Sequence, residues 1–249
     1  MKQFRSLWLF ATLAIFFLSR AAISGPPFLT DDPEPVEYHC WEIYLASMVS
    51  HDADETGGTL PHADINYGIA PDMQVNVVLP YQFQRVPGTP TTRGYGDSGF
   101  GFKYRFMPET EQLPMVSVYP SVSIPTGDEK RDLGTGHLQF FLPVWAQKSW
   151  GTWTSYGGGG FHLNPGTGNK NFWNAGWEVQ RDFGRKVTLG GELFYSSASS
   201  QDGEEQLDWN IGGQFNLSDI HHLLFSAGRN FRDNDSYQYY IAYQLTFGE

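Results

Sequence analysis

Met73-Gln-Val-Asn-Val-Val-Leu-Pro-Tyr-Gln-Phe-Gln84 decides the fold. Its odd positions, Met73, Val75, Val77, Leu79, Tyr81 and Phe83, are apolar, and Gln74, Asn76, Gln82 and Gln84 lie between them. A period of two puts successive side chains on opposite faces of a strand, so this strand has one greasy face and one wet face. The pattern recurs. Phe100, Phe102, Tyr104 and Phe106 alternate with Gly99, Gly101, Lys103 and Arg105, and Tyr237, Tyr239, Ile241, Tyr243, Leu245 and Phe247 alternate with Gln238, Ala242, Gln244 and Thr246. Beyond the N-terminus no run is apolar and long enough for a transmembrane helix, so membrane insertion would have to use strands. The expected fold is all-β: a transmembrane, antiparallel, up-and-down β-barrel of about twelve strands.

Working outward, the pattern predicts strands near 38–49, 59–69, 72–84, 97–107, 114–125, 135–147, 152–162, 172–183, 186–197, 206–217, 220–230 and 236–247. The connections between them alternate in length. Those around 51–58, 85–96, 126–134, 163–171 and 198–206 are long, those at 70–71, 148–151, 184–185 and 218–219 are short, 108–113 is shorter than its neighbours and 231–235 is intermediate, so the alternation holds almost throughout. Outer-membrane barrels alternate long outer loops with short periplasmic turns, whereas a secreted sandwich, the rival reading, has no reason to. The even strand count would leave both termini in the periplasm. Aromatic residues make up 16% of the chain, which suits interfacial girdles as well as a soluble aromatic core.

The N-terminus predicts export. Lys2 and Arg5 precede an apolar stretch, Leu7 to Leu18, too short to span a bilayer, and Ala22-Ile-Ser24 supplies small residues for cleavage. Residues 1–24 therefore read as a signal peptide, 25–37 as a Pro-rich segment and 38–249 as the barrel, placed in the outer membrane of a Gram-negative cell. Pro26, Pro27, Pro33 and Pro35 forbid a central strand in the second of these. It is either a periplasmic tail or a piece tucked into the lumen. The formal charge of −11 argues against a nucleic-acid partner. Cys40, the sole cysteine, cannot form an internal disulfide. The expected partners are outer-membrane lipid, a small-molecule solute and, during biogenesis, the barrel assembly machinery.

Parity then assigns the faces. Val116, Val118, Val122, Ile124, Leu138, Phe140, Leu142, Val144, Trp209, Ile211 and Phe215 face lipid. Glu42, Asp64, Asn66, Asn76, Lys103, Arg105, His137, Gln139, Glu178, Asp182, Glu192 and Asp208 are the expected lumen-lining residues. Charges there need water or partners. They form either a salt-bridged interior or a narrow pore that favours cations. Glu42, Lys103, Arg105 and Asp182 share one depth and could form a charged ring or bridge. No catalytic, cofactor or metal site emerges. His137 and His162 point inward while Ser155 points outward, so no triad forms. His221 and His222 alternate faces, Asp31-Asp32 is at best a weak Ca²⁺ pair, and Gly157 to Gly160 precedes no helix and reads as a thin wall for bulky neighbours.

Gly25-Pro-Pro-Phe-Leu-Thr-Asp-Asp-Pro-Glu-Pro35, Ile65-Asn-Tyr-Gly-Ile-Ala-Pro-Asp72, Val75-Asn-Val-Val-Leu-Pro80, Gly94-Tyr-Gly-Asp-Ser-Gly-Phe-Gly-Phe-Lys-Tyr-Arg-Phe106 and Pro120-Ser-Val-Ser-Ile-Pro-Thr-Gly127 together resemble an outer-membrane barrel family named for the meta-pathway of phenol degradation. That resemblance implies a transporter of aromatic or poorly soluble small molecules. The expected function is a channel for passive passage of small molecules, not an enzyme. A closed structural or adhesive barrel is the alternative, and an outer-membrane hydrolase the third reading.

Overall fold

Polar side chains point inward and apolar ones outward along nearly every strand, the reverse of a soluble protein. In β3 (Met73–Arg85) Gln74 and Asn76 are buried while Val77, Leu79 and Tyr81 are exposed. Leu142, Trp177, Ile211 and Ile241 are likewise exposed, and Asn66, Lys103, Glu178 and Asn210 are buried. Such a surface is stable only against hydrocarbon. The structure, a computed structural model, describes residues 26–233 and 235–248. The expected signal peptide, 1–24, lies outside the described residues.

The remaining strands are β1 (Cys40–His51), β2 (Thr56–Ala70), β4 (Thr92–Tyr95), β5 (Ser98–Met107), β6 (Met115–Val118), β7 (Ser121–Ile124), β8 (Gln139–Trp150), β9 (Trp153–Leu163), β10 (Phe172–Phe183), β11 (Val187–Ser196), β12 (Gln206–Asn216), β13 (His221–Asn230) and β14 (Tyr237–Gly248). All pair antiparallel in one sheet. The wall closes where β1 pairs β14, from Cys40 opposite Gly248 to His51 opposite Tyr237. β4 and β5 share one place beside β3, and β6 and β7 share one place between β5 and β8, so the wall is a closed barrel of twelve strands.

Both breaks have local causes. Pro120, between β6 and β7, has no N–H for the ladder. Its carbonyl still accepts from Phe102, and Tyr119 donates to the Pro143 carbonyl. Between β4 and β5 the Asp97 carboxylate accepts the backbone N–H groups of Gly127 and Thr135, anchoring the following long loop. β2 bulges at Leu60-Pro61, where the register shifts against both neighbours.

Three boundaries differ from the pattern. β2 begins at Thr56, earlier than predicted, because the first loop is tighter. Thr92–Tyr95, read as loop, extends the wall beside β3. β8 begins at Gln139, not 135, because Asp97 holds Thr135 in the loop. Gly157 to Gly160 form the thin wall predicted: a Cβ at Gly158 would strike Trp145.

Candidate functional site: a lumen occupied by the N-terminal segment

Lys103 organises the lumen. Its place on β5 turns it inward, where its ammonium has too little water to stay unpaired. The partners come from the Pro-rich segment. Lys103 Nζ lies 3.1 Å from Asp31 Oδ1 and 3.6 Å from Asp32 Oδ1, and donates to the carbonyl of Asp32 at 2.8 Å. It also sits over the Tyr119 ring, 5.0 Å from the centroid. Residues 26–37 thus run inside the barrel, entering at the end that carries the short turns.

The segment is held along its length. The Val36 N–H donates to Gln74 Oε1, the Leu29 and Thr30 N–H groups donate to the two Glu192 carboxylate oxygens, and Ser226 Oγ donates to the Pro27 carbonyl. Thr30 is 0% exposed, Asp31 1% and Phe28 3%. A Cβ at Gly176 would overlap the Thr30 side chain, so the bare wall there makes room for the segment. An isolated bridge, Tyr38 to Gly68, and the His39 N–H donating to the Gly68 carbonyl tie its root to the sheet.

The expected lining residues are distributed as follows. Asp64, Asn66, Asn76 and Gln74 form one buried network on β2 and β3: Asn66 and Asn76 donate to Asp64 Oδ1, and Gln74 donates to Asn66 Oδ1. Glu192 meets the segment and also accepts from Asn210. Glu178, directly across the ladder from Glu192, is fully buried, with the Tyr156 hydroxyl beside its carboxylate. Glu42 accepts from Gln244 and Asp208 from Asn230. Gln139 donates to Asn164 at the long-loop end.

Two residues sit elsewhere than expected. His137 is exposed in the loop before β8, because that strand starts two residues after it. Asp182 is exposed at the short-turn end, where Thr188 donates to it. The suggested ring of Glu42, Lys103, Arg105 and Asp182 does not assemble. Arg105 pairs with Asp72 at 2.5 Å and lies 4.0 Å from Glu34, while Lys103 is taken by the segment. Sequence reasoning missed Thr30 and Asp31 as lumen residues. It also missed an aromatic inner surface, Tyr119, Phe141, Trp145 and Tyr156, all buried. Inward parity within otherwise polar positions was the available signal for the aromatics.

Electrostatics inside the segment follow from burial. Desolvation pushes the Asp31 carboxyl up from its usual 3.8 to about 7, against the pull of Lys103. Burial also raises Glu34. The Asp31 pairing with Lys103 leaves no Ca²⁺ pair at Asp31-Asp32. Among the described residues no group of three or more His, Cys, Asp or Glu side chains is placed to hold a metal ion. His162 is stacked between Phe141 and Phe172, and Ser155 Oγ donates to the Glu178 carbonyl, so the structure does not bring these two together as reacting groups.

A closed, lipid-facing, twelve-stranded wall with a polar interior is the architecture of outer-membrane barrels. The chain belongs to the family described as "MetA-pathway of phenol degradation", whose model matches residues 50–245. No curated protein matches it. Among solved structures, an outer membrane channel from Pseudomonas putida F1 is 13% identical with a TM-score of 0.70, over 87% of this chain and 98% of that one. The KdgM porin in complex with disordered oligogalacturonate is 9% identical, TM-score 0.56, over 83% and 99%. The NanC porin is 7% identical, TM-score 0.56, over 82% and 98%. At these identities the likeness is one of fold.

Proposed function

We propose that this protein is an outer-membrane channel through which small, aromatic or poorly soluble molecules pass passively, with the long loops outside and the short turns in the periplasm. The observation that carries the reading is the N-terminal segment. It fills the lumen but is no strand of the wall, so it can leave without breaking a ladder hydrogen bond of the barrel. The lumen it covers is two-sided. Carboxamides and carboxylates line β2, β3 and β12, while Tyr119, Phe141, Trp145 and Tyr156 line β8, β9 and the approach to β7. An amphipathic path of this kind suits a solute with an apolar body better than an ion. The family to which the chain belongs supports the same solute class.

The buried segment also favours a second reading, a barrel that stays closed. Single-channel conductance in planar bilayers separates the two. The full chain should show small, intermittent openings, and a chain lacking residues 26–36 should conduct more. Flux of an aromatic solute into liposomes should rise in parallel. Silence from both chains would end the channel reading.

A further inference from the structure

The segment leads the start of the chain into a cavity above it, toward the long loops. Pro26, the first described residue, lines this cavity together with Pro27, Phe28 and Leu29. Its volume is about 80 Å³, room for an amino group with a few waters and for little more. The Ser226 hydroxyl donates to the Pro27 carbonyl and so fixes where the chain enters. Two carboxylates line the cavity, Asp64 on β2 and Asp97 between β4 and β5, and among the described residues no lysine or arginine does.

Asp64 is the informative one. It is 9% exposed, and it accepts from Asn66 and Asn76 on Oδ1 alone. Oδ2 accepts from no described residue, and Asp64 makes no ion pair with one. Lys103, the inward cation of β5, is taken by Asp31 and Asp32. A carboxylate withdrawn from water needs a partner for its charge, or its burial is unfavourable. Asp97 adds a second negative charge, although its oxygens are already engaged by Gly127 and Thr135. Gln238 donates to Asn210, which leaves its carbonyl oxygen as an acceptor at the same cavity. An acceptor-rich, negatively charged niche of this size suits one compact cation with several N–H donors.

We propose that this cavity seats the α-ammonium group of Gly25 after cleavage of the signal peptide. Gly25 directly precedes Pro26, so its nitrogen lies within about 3.6 Å of the Pro26 nitrogen. Cleavage makes the group. In the precursor that nitrogen is a neutral amide. Hydrolysis of the Ser24–Gly25 bond consumes one water and leaves a carboxylate on Ser24 and an ammonium on Gly25. The ammonium pairs with Asp64 Oδ2 in the field of Asp97, and latches the free end of the segment as Lys103 latches its middle. The precursor lacks that latch. The inference rests on cleavage after Ser24 and not on the channel reading, since a barrel that never opens would seat the group as well.

The test uses the protein exported with its own signal peptide, purified in detergent and folded as judged by heat-modifiable migration. Its intact mass should match residues 25–249. The probe is an acetyl N-hydroxysuccinimide ester at neutral pH, where α-amines react ahead of lysines because their ordinary pKa is lower. Mass spectrometry follows the acetylated N-terminal peptide. Three glycines inserted between Ser24 and Gly25 carry the amine up to about 10 Å away. It should then react about tenfold faster than in the parent, the effect of losing one charged hydrogen bond. Asp64→Asn, whose amide oxygen can still accept from Asn66 and Asn76, should speed acetylation of the parent by about the same tenfold and leave the extended chain unchanged. A merely enclosed terminus would not respond to Asp64→Asn. Equal rates in the parent and extended chains, an Asp64→Asn rate equal to the parent's, or a mature chain that begins elsewhere than Gly25 would each overturn the proposal. Should Asp64→Asn not fold, the extended chain decides alone. The channel reading fails by a different result, absence of current from both the full chain and the chain lacking 26–36, which leaves these rates unaffected.

Discussion

Lys103 and Asp31 are the residue-scale key to the closed lumen. Both are buried, and Lys103 would be an uncompensated charge without the segment's carboxylates, Asp31 and Asp32. Removing one partner of such a pair costs about 3–5 kcal/mol, more than the few polar contacts of a short segment can absorb. Lys103→Met should therefore release the segment. At pH 8 its conductance should exceed that of the parent protein, and residues 26–37 should become sensitive to protease; unchanged cleavage would contradict the arrangement. A pH dependence follows from Asp31. Docked, its carboxyl ionises near 7; released, near the ordinary 3.8. The docked segment thus holds its proton more tightly. Docking is most favourable below about pH 4 and weakens as pH rises through 7. Conductance should be higher at pH 8 than at pH 5, and Asp31→Asn should flatten the difference. An increase on acidification would reverse the sign and refute the linkage.

At the scale of the strand, the face assignment has measurable consequences. Val77→Arg or Leu142→Arg places a cation against lipid, costing roughly 2–4 kcal/mol near the midplane. Both variants should reduce the folded, heat-modifiable fraction in the membrane. Gln139→Arg, half-buried on the inner face beside Asn164, should fold at close to normal yield. Comparable losses at both parities would undo the assignment. Asn76 is not an equivalent control, although it also faces inward. It is 0% exposed and bonded to Asp64 and Asn66, so an arginine there has neither space nor water. Parity tells which face a side chain is on. Whether that face is wet depends on what occupies the lumen.

For the whole molecule, the alternation of connection lengths predicts orientation. A tag in the loop 126–134 should be labelled on intact cells and a tag at 184–185 should not, and the opposite pattern would invert the barrel. Charge predicts selectivity. Glu178, Glu192 and Asp64 line the wall. Lys103 and Arg105 oppose them, and Arg105 is already paired with Asp72. A chain lacking residues 26–36 should therefore prefer cations modestly, because low-dielectric walls focus the excess negative charge. High salt should weaken the preference by screening. Reversal potentials in a salt gradient measure it, and an anion-preferring pore would show that Lys103, freed of Asp31, dominates.

The barrel was legible in the sequence because period-two alternation and turn chemistry are local. Met73 to Gln84 and Tyr237 to Phe247 carry their two faces without reference to anything else, and Ala70-Pro71 marks a turn by itself. Strand breaks were less legible. Pro120 sits inside what reads as one continuous strand, and the start of β8 depends on Asp97, a residue far away in sequence. The inner surface was legible only as parity. That Glu192 binds the Leu29 and Thr30 N–H groups, that Lys103 meets Asp31 and not Glu42, and that Glu178 is buried beside Tyr156 are contacts between distant residues. Only closure of the wall and entry of the segment bring them together. Alternation along the chain determined which side of the sheet each residue takes. The interior of a closed surface is shared by every strand at once, so only the tertiary structure decided what fills it.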